Sequence, residues 1–288
     1  MPNTSFRTNT IALFLSSLLS RTLSRAVYHG DSLVATSNNT IIVVTLNYRL
    51  SIFGFLGGTA IGAQTTDRSQ GNFGIQDQRM AMKWVKEHIV SFGGDPEQIT
   101  IFGESAGGNS VFNHLAQPQS FLYYNQAIIE SGVYNEGAFQ LPAANQMYTN
   151  VLSQGKCSSL ECLREKTAVE LLTIFGQLEF KGIRNWGPIV DGISLTATPE
   201  QLLKRNRVAQ VPVILGSNRD EMAFWTLKSV PSNCNESCFE TDFSMFVKGA
   251  SGGRKIVNAS ELKEVKRIYA NQNSDYVYPK DLGKYSTW

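Results

Sequence analysis

A serine flanked by glycines is the group in this chain best suited to covalent chemistry. Ser105 lies two residues after Gly103 and two residues before Gly107. The run at 98–102 predicts a buried strand that stops at Gly103, and the stretch 109–115 is compatible with a helix. A serine in this position between a strand and a helix indicates a nucleophile elbow, a turn so tight that only glycine fits on either side. The alternative is a glycine-rich turn with an incidental serine, but the flanking strand and helix favour the elbow.

The residue after the serine has a chemical role of its own in such a turn. Ser105 would lie at the N-terminus of the predicted helix, where backbone N–H groups point outward and favour negative charge. The N–H of Ala106 would then be free to face an oxyanion that develops during attack by the serine. The sequence therefore predicts a nucleophile and one oxyanion donor in adjacent residues.

The elements predicted around this turn alternate between strand and helix. The clearest strand is 40–48, whose nearly continuous apolar run is typical of a parallel strand covered on both faces. A helix is predicted over 76–90, with Met80, Trp84, Val85 and Ile89 on its apolar stripe. Further strands are predicted at 127–132 and 211–216, and helices at 140–180 and 255–270. This alternation predicts an α/β fold with a doubly wound, mostly parallel sheet and helices on both faces.

The first 27 residues allow two interpretations. Arg7 followed by the apolar run at 11–19 resembles a signal peptide, and small residues suited to cleavage follow it, although two arginines in between weaken this interpretation. The second interpretation makes 11–15 a buried strand. The sequence leaves both open.

Composition and charge bear on the class of protein. A length of 288 residues is compatible with one large α/β domain and does not exclude two. A net charge of +2 without any basic block gives no indication of nucleic-acid binding. No apolar run approaches the roughly 20 residues of a membrane span. No cofactor and no resident metal ion are predicted.

The four cysteines form two close pairs, Cys157 with Cys162 and Cys234 with Cys238. Two short disulfide loops are expected if the compartment is oxidising; four free thiols and a four-cysteine metal site are the alternatives. Asn-x-Ser/Thr sequons point the same way and predict a glycoprotein that is secreted or lies in the secretory pathway. The sequons begin at Asn3, Asn38, Asn235 and Asn258.

Eight motifs, in a fixed order, carry a resemblance to a known family. They are Asn47-Tyr48-Arg49, Gly71-Asn72-x-Gly74-x-x-Asp77-Gln78, Phe92-Gly93-Gly94-Asp95-Pro96, Gly103-Glu104-Ser105-Ala106-Gly107-Gly108, Ser131-Gly132, Cys162-Leu163-Arg164, Val190-Asp191-Gly192 and Asp220-Glu221. From about Tyr28 onward the chain resembles the type-B carboxylesterase and cholinesterase family, which implies an α/β-hydrolase fold. On this resemblance 28–288 is a partial domain of the family, incomplete at both ends, and 1–27 is an atypical leader or a degenerate strand.

The resemblance implies a Ser-His-Glu triad that hydrolyses small-molecule carboxylic esters through an acyl-enzyme. Ser105 matches the nucleophile, Ala106 matches an oxyanion donor, and Glu221 matches the acid that orients the catalytic histidine. Supporting roles are implied for Glu104 and Ser131, which match positions that line the site, and for Arg49 and Asp77, which match a structural ion pair.

Two parts of the family's catalytic machinery have no match in this chain. The family carries a glycine-rich oxyanion loop upstream of the strand at 40–48, whereas 1–27 contain no glycine. Its base histidine follows the acid, whereas every histidine of this chain precedes Glu221: His29, His88 and His114. The sequence therefore predicts an impaired esterase. The alternatives are a catalytically silent adhesion or binding module and a non-functional fragment.

Overall fold

The computed structural model describes residues 9–15, 30–133, 137–181, 186–218, 221 and 258–270. The chain divides into two compact units, Met1–Gly216 and Ser217–Trp288. The first unit contains the strands and most of the helices, and the second contains one described helix.

A parallel sheet forms the centre of the first unit. Its described strands, with those of a small second sheet, are β1 (Asn9–Leu15), β2 (Ile41–Leu46), β3 (Gly94–Glu104), β4 (Gln126–Glu130), β5 (Phe139–Gln140), β6 (Ile189–Val190) and β7 (Val213–Gly216). The main sheet has the order β2-β1-β3-β4-β7, and β5 pairs with β6. Every neighbouring pair runs parallel, which confirms the predicted parallel sheet.

The helices follow the strands in the alternating order that the sequence predicts. In the first unit they are α1 (Asp31–Thr36), α2 (Ser51–Phe55), α3 (Thr59–Gly62), α4 (Phe73–His88), α5 (Ala106–Leu115), α6 (Leu141–Gly155), α7 (Leu160–Arg164), α8 (Ala168–Phe180) and α9 (Pro199–Lys204); the second unit has α10 (Ala259–Ala270). Short 3₁₀ helices cover Ile89–Phe92 and Pro118–Tyr123. The start of α8 is set by a capping box between Thr167 and Glu170.

The N-terminal strand agrees with one of the two interpretations of that segment. β1 pairs with β2 on one side and with β3 on the other, so that Ile11 lies opposite both Ile42 and Ile99. Ile11 is fully buried. The strand interpretation of 11–15 therefore agrees with the structure, while residues 16–29 lie outside the described residues.

The face that α4 turns to the sheet differs from the predicted one. Its buried side is formed by Gly74, Ile75, Gln78, Met82 and Val85. The expectation that Met80 and Trp84 lie on the core stripe was wrong, because Met80 is 74% and Trp84 47% exposed. Trp84 instead stacks on His88, with ring centroids 4.8 Å apart, and contacts Phe92. Since α4 carries apolar residues on two sides, periodicity alone does not decide which side faces the core.

The strand predicted at 211–216 exists but is not buried. β7 pairs with β4, yet Val213, Ile214 and Leu215 are 45%, 66% and 61% exposed. Its position at the edge of the described sheet explains the difference. A parallel strand is covered on both faces only where helices pack over it, and the side chains of β7 remain open among the described residues.

The predicted disulfide between Cys157 and Cys162 is confirmed, and it joins the turn after α6 to α7. Cys234 and Cys238 lie outside the described residues. Asn38 and Asn258 are both exposed, while Asn3 and Asn235 also lie outside the described residues. Glycosylation of these sequons stays a prediction.

A buried carboxylate organises the loop after β6. Asp191 is 2% exposed, and one of its oxygens accepts the backbone N–H groups of the three residues 193–195. The other oxygen accepts the Ser194 hydroxyl at 2.8 Å. Upstream of α4, the Asn72 side chain donates to the carbonyl of Ile189 and accepts its N–H, so that this loop is tied to β6. These bonds fix the irregular segments that frame the sheet.

We expect Asp191→Ala to lower the free energy of unfolding by about 3 kcal/mol, because three N–H groups and a hydroxyl lose a charged acceptor. The matched control is Asp67→Ala, which removes an exposed carboxylate that accepts the N–H of Ser69 at 3.0 Å. The control should cost less than about 1 kcal/mol. Urea denaturation of both variants measures the difference, and equal losses would contradict the structural role of Asp191.

Candidate active site

The turn between β3 and α5 has the geometry of a strained elbow. Ser105 has φ 56° and ψ −117°, a conformation that costs energy for any residue with a side chain. Its N–H donates to the carbonyl of Glu130 at 2.8 Å, and its carbonyl accepts the N–H of Asn109 at 2.9 Å. The strained residue is therefore held from the neighbouring strand on one side and from the helix on the other.

Glycines around Ser105 allow backbone to touch backbone. A Cβ on Gly103 would lie 2.5 Å from the carbonyl carbon of Gly107, which accounts for the glycine two residues before the serine. A Cβ on Gly108 would lie 2.8 Å from the Cα of Gly132 and 2.9 Å from the carbonyl oxygen of Glu130. The first turn of α5 thus packs directly on the chain that leaves β4. The sequence showed these two glycines as motif residues but not their contact.

Four of the residues singled out from the sequence meet at the carboxyl ends of the strands. Glu104 is the last residue of β3, Ser105 follows it, and Ala106 begins α5. Among the described residues, no backbone carbonyl accepts the N–H of Ala106. Ser131 follows β4 with φ 53°, and its N–H donates to Gly216 at 2.8 Å. In open α/β sheets the carboxyl ends of the strands are where ligands bind.

The predicted acid belongs to the other unit. Glu221 lies in Ser217–Trp288, and its carboxylate accepts the N–H of Asn218 at 2.6 Å. Its neighbours Asp220 and Met222 lie outside the described residues. Its role as the acid of a triad stays a prediction.

The two described histidines are both engaged with partners other than Ser105. His88 is exposed, stacks on Trp84 and has its Nδ1 2.9 Å from the carbonyl of Trp84. His114 is fully buried, with Nδ1 2.9 Å from the Ser120 hydroxyl and Nε2 2.9 Å from Oε1 of Gln78. Burial, and secondarily the nearby Arg79 charge, lowers the pKa of His114 to about 3. His114 is therefore neutral at physiological pH, and both of its nitrogens already have partners. His29 lies outside the described residues.

Sequence reasoning missed the polar side chains that surround His114. Gln78 and Ser120 are fully buried and Ser110 is 4% exposed. In the sequence they look like the polar positions of amphipathic helices, and no local signal distinguishes a buried glutamine from a solvated one. The pairing of Gln78 on α4 with His114 on α5 depends on tertiary packing.

The predicted ion pair between Arg49 and Asp77 is confirmed. The guanidinium donates twice to the carboxylate, at 2.8 and 2.7 Å, and the Arg49 N–H adds a third bond at 2.9 Å. The guanidinium also lies over the Phe73 ring, 5.4 Å from its centroid. This bidentate pair joins the end of β2 to the first turns of α4, which is a scaffold role.

The described residues contain neither a helix suited to a membrane span nor a cluster suited to a metal ion. None of the helices there has both the length and the apolar character needed to cross a bilayer. Within the same residues, no group of three or more His, Cys, Asp or Glu side chains is placed to hold a metal ion.

The profile of the carboxylesterase family matches residues 16–280. The chain belongs to the carboxylesterase family. Among curated members it is 34% identical over 249 residues to a mouse (Mus musculus) cholinesterase, an alignment that covers 80% of this chain and 40% of that protein. It is 32% identical over 255 residues to the crystal protein of Dictyostelium discoideum, covering 84% of this chain and 45% of that protein. The chain thus spans less than half the length of these two relatives.

Solved structures agree with this family assignment. A carboxylesterase of Geobacillus stearothermophilus superposes with a TM-score of 0.79 at 26% identity, covering 99% of this chain and 56% of that one. A pNB esterase superposes with a TM-score of 0.72 at 27% identity, covering 92% of this chain and 56% of that one. The predicted α/β-hydrolase fold is confirmed.

The contact between the two glycines leads to a prediction about stability. Gly108→Ala should lower the free energy of unfolding by about 2–3 kcal/mol, because the new methyl group meets backbone atoms that cannot move aside. The matched control is Gly176→Ala on α8, where a Cβ meets nothing within 4 Å. The control should stabilise the chain by about 0.5–1 kcal/mol. Thermal unfolding of both variants measures the effects, and a neutral Gly108→Ala would contradict the close approach.

The buried histidine predicts a dependence of stability on pH. The unfolded chain, with an ordinary histidine pKa of about 6.5, binds one proton more than the folded chain between that pH and about 3. The free energy of unfolding should therefore fall as the pH drops below about 6.5, by up to about 1.4 kcal/mol per pH unit. His114→Gln should remove this contribution. Urea denaturation across this pH range compares the two proteins, and parallel curves would contradict the prediction.

Proposed function

We propose that this chain carries the nucleophile half of a serine carboxylic-ester hydrolase. The Oγ of Ser105 attacks the ester carbonyl carbon, and its proton passes to a base. The N–H of Ala106 donates to the carbonyl oxygen as it becomes negative, and the leaving alcohol departs with a proton. Water then hydrolyses the acyl-enzyme and releases the acid. Glu221 orients the base in this scheme, and Glu104 and Ser131 support the site.

The strained elbow is the observation that carries the proposal. A serine held at φ 56° between a strand and a helix is a costly feature, and such features persist where function requires them. The N–H of Ala106 has no described backbone acceptor, so it is available to an oxyanion. Membership of the carboxylesterase family supports the ester as the substrate class.

In this proposal, the rate of ester hydrolysis is limited by the availability of a general base for Ser105. His114 is buried with both nitrogens engaged, and His88 is stacked on an exposed tryptophan. Without a base the serine remains a neutral alcohol, and most of the rate enhancement of a triad is lost. We therefore propose that the 288-residue chain on its own is an impaired esterase.

The cysteine chemistry supports our proposal for the compartment. The disulfide between Cys157 and Cys162 is of a kind that persists in oxidising environments. Asn38, the first residue of an Asn-x-Thr sequon, lies in an exposed turn before β2. Both support a location in the secretory pathway or outside the cell.

A fluorophosphonate probe tests the nucleophile directly. We expect a single covalent adduct by intact mass, located on the peptide that contains Ser105, and none in Ser105→Ala. Formation of the adduct should be slow, because both described histidines are engaged with other partners and we propose that the serine is poorly activated. Added imidazole, an external base, should accelerate it.

Each outcome decides part of the proposal. An adduct of unchanged yield in Ser105→Ala would place the reactive group elsewhere. A rapid reaction that imidazole does not change would mean that a group within the chain serves as the base. No adduct from a chain with a folded circular dichroism spectrum would support the catalytically silent alternative.

A further inference from the structure

A continuous line of hydrogen bonds runs from the half-buried Arg79 of α4 through buried side chains to the first turn of α5. The Nε–H of Arg79 donates to the Ser120 hydroxyl at 3.1 Å, and this hydroxyl lies 2.9 Å from Nδ1 of His114. The Nε2 of His114 lies 2.9 Å from Oε1 of Gln78. We name as the buried relay the side chains of Arg79, Ser120, His114, Gln78 and Ser110.

The last two bonds of the buried relay reach the elbow. The amide nitrogen of Gln78 donates to the Ser110 hydroxyl at 3.0 Å, and this hydroxyl donates to the carbonyl oxygen of Ala106 at 3.0 Å. Ala106 is the residue whose N–H is the proposed oxyanion donor. The buried relay therefore ends on the residue that follows the nucleophile.

With the Gln78 amide oriented as it is in the structure, the chemistry of the groups gives the direction of every bond. A guanidinium only donates, so the Ser120 oxygen accepts from Arg79 and its own proton is free for Nδ1 of His114. Because Oε1 of Gln78 only accepts, Nε2 of His114 must carry the proton of the neutral ring. The Gln78 amide then donates onward. All donors thus point the same way, from a cation toward the Ala106 carbonyl, and in a buried chain each bond polarises the next.

The strained backbone of Ser105 has to be held by its neighbours, and the buried relay acts on one of them. A residue at φ 56°, ψ −117° relaxes unless its neighbours are held from several directions. The Ser105 N–H is held by Glu130, and the buried relay holds the carbonyl of the following residue, Ala106. Ser110 alone is a weak anchor, but Gln78 keeps its hydroxyl oxygen occupied and leaves its proton to Ala106.

We propose that the buried relay is a positioning device that sets the orientation of Ala106 and thereby the reactivity of Ser105. This rests on the proposed function for its catalytic consequence, but not for the bonds themselves. The residues of the buried relay are positioning residues, since none of them touches a reacting atom. The proposal gives His114 a role in the site although it is not the base.

The tautomer of His114 tests the relay in the unmodified chain. Nitrogen NMR of protein labelled at histidine should show one ring that is neutral, carries its proton on Nε2 and does not titrate between about pH 5 and 8. A proton on Nδ1, or titration near 6.5, would overturn the direction of the relay. This measurement needs no variant and no activity.

The effect of the buried relay on the turn at Ser105 is tested by removing the Ser120 hydroxyl, which lies at the other end of the relay. Ser120→Ala leaves α5 unaltered in sequence, yet it should shift the Ala106 amide resonance and slow fluorophosphonate labelling by about three- to tenfold, as expected for one lost hydrogen bond. Ser110→Ala should do the same. The matched control is Thr173→Ala, whose hydroxyl donates to the carbonyl of Val169 one turn earlier on α8 at 2.8 Å; it should change neither observable.

The readouts separate the two proposals. If the role of Ser120 is purely structural, Ser120→Ala will melt at a lower temperature but keep the Ala106 resonance and the labelling rate of the wild type wherever the chain is folded. That result would overturn the relay. If the wild type does not label at all, the proposed function fails, and the Ala106 resonance in Ser120→Ala decides the relay alone. If Ser120→Ala does not fold, the tautomer of His114 decides.

Discussion

Contact between two backbones, at Gly108 and Gly132, is the constraint on which the rest of the structure depends. It lets the first turn of α5 lie against the chain that leaves β4, at a separation that no side chain permits. Ser105 can then hold its strained conformation, since its N–H reaches the carbonyl of Glu130 at 2.8 Å. The place of Ser105 at the turn, the Ala106 N–H that has no backbone acceptor among the described residues, and the end point of the buried relay all follow from that approach.

Local patterns in the sequence predicted the elements and the turn between them. The apolar run of β3, the glycines beside Ser105 and the spacing of Cys157 and Cys162 each lie within a few residues, so short-range sterics decide them. The orientation of α4 was not predictable in this way, because Met80 and Trp84 form a second apolar stripe that competes with the one on the sheet. The exposure of β7 and the burial of Gln78 depend on which other elements pack against them. Nearby residues in the sequence do not specify those tertiary contacts.

His114 illustrates why residue type is a poor guide to chemical role. It lies on α5, the helix that directly follows Ser105, and an imidazole is the usual base for a serine. Burial and the Arg79 charge lower its pKa to about 3, and two hydrogen bonds occupy its ring. The same environment that removes it as a base makes it a rigid, neutral link between α4 and α5. Electrostatics and packing, rather than proximity in the sequence, assign its role.

The glycine pair also limits how a gene for this fold can vary. When a side chain clashes with a larger side chain, a second mutation can shrink the neighbour and restore the fit. At Gly108 and Gly132 the neighbours are main-chain atoms, which every amino acid carries. No second substitution can therefore relieve the clash that a side chain at either position would cause. Homologous sequences would then retain glycine at each of the two positions. Because neither position varies, the two would show no covariation even though they are in contact.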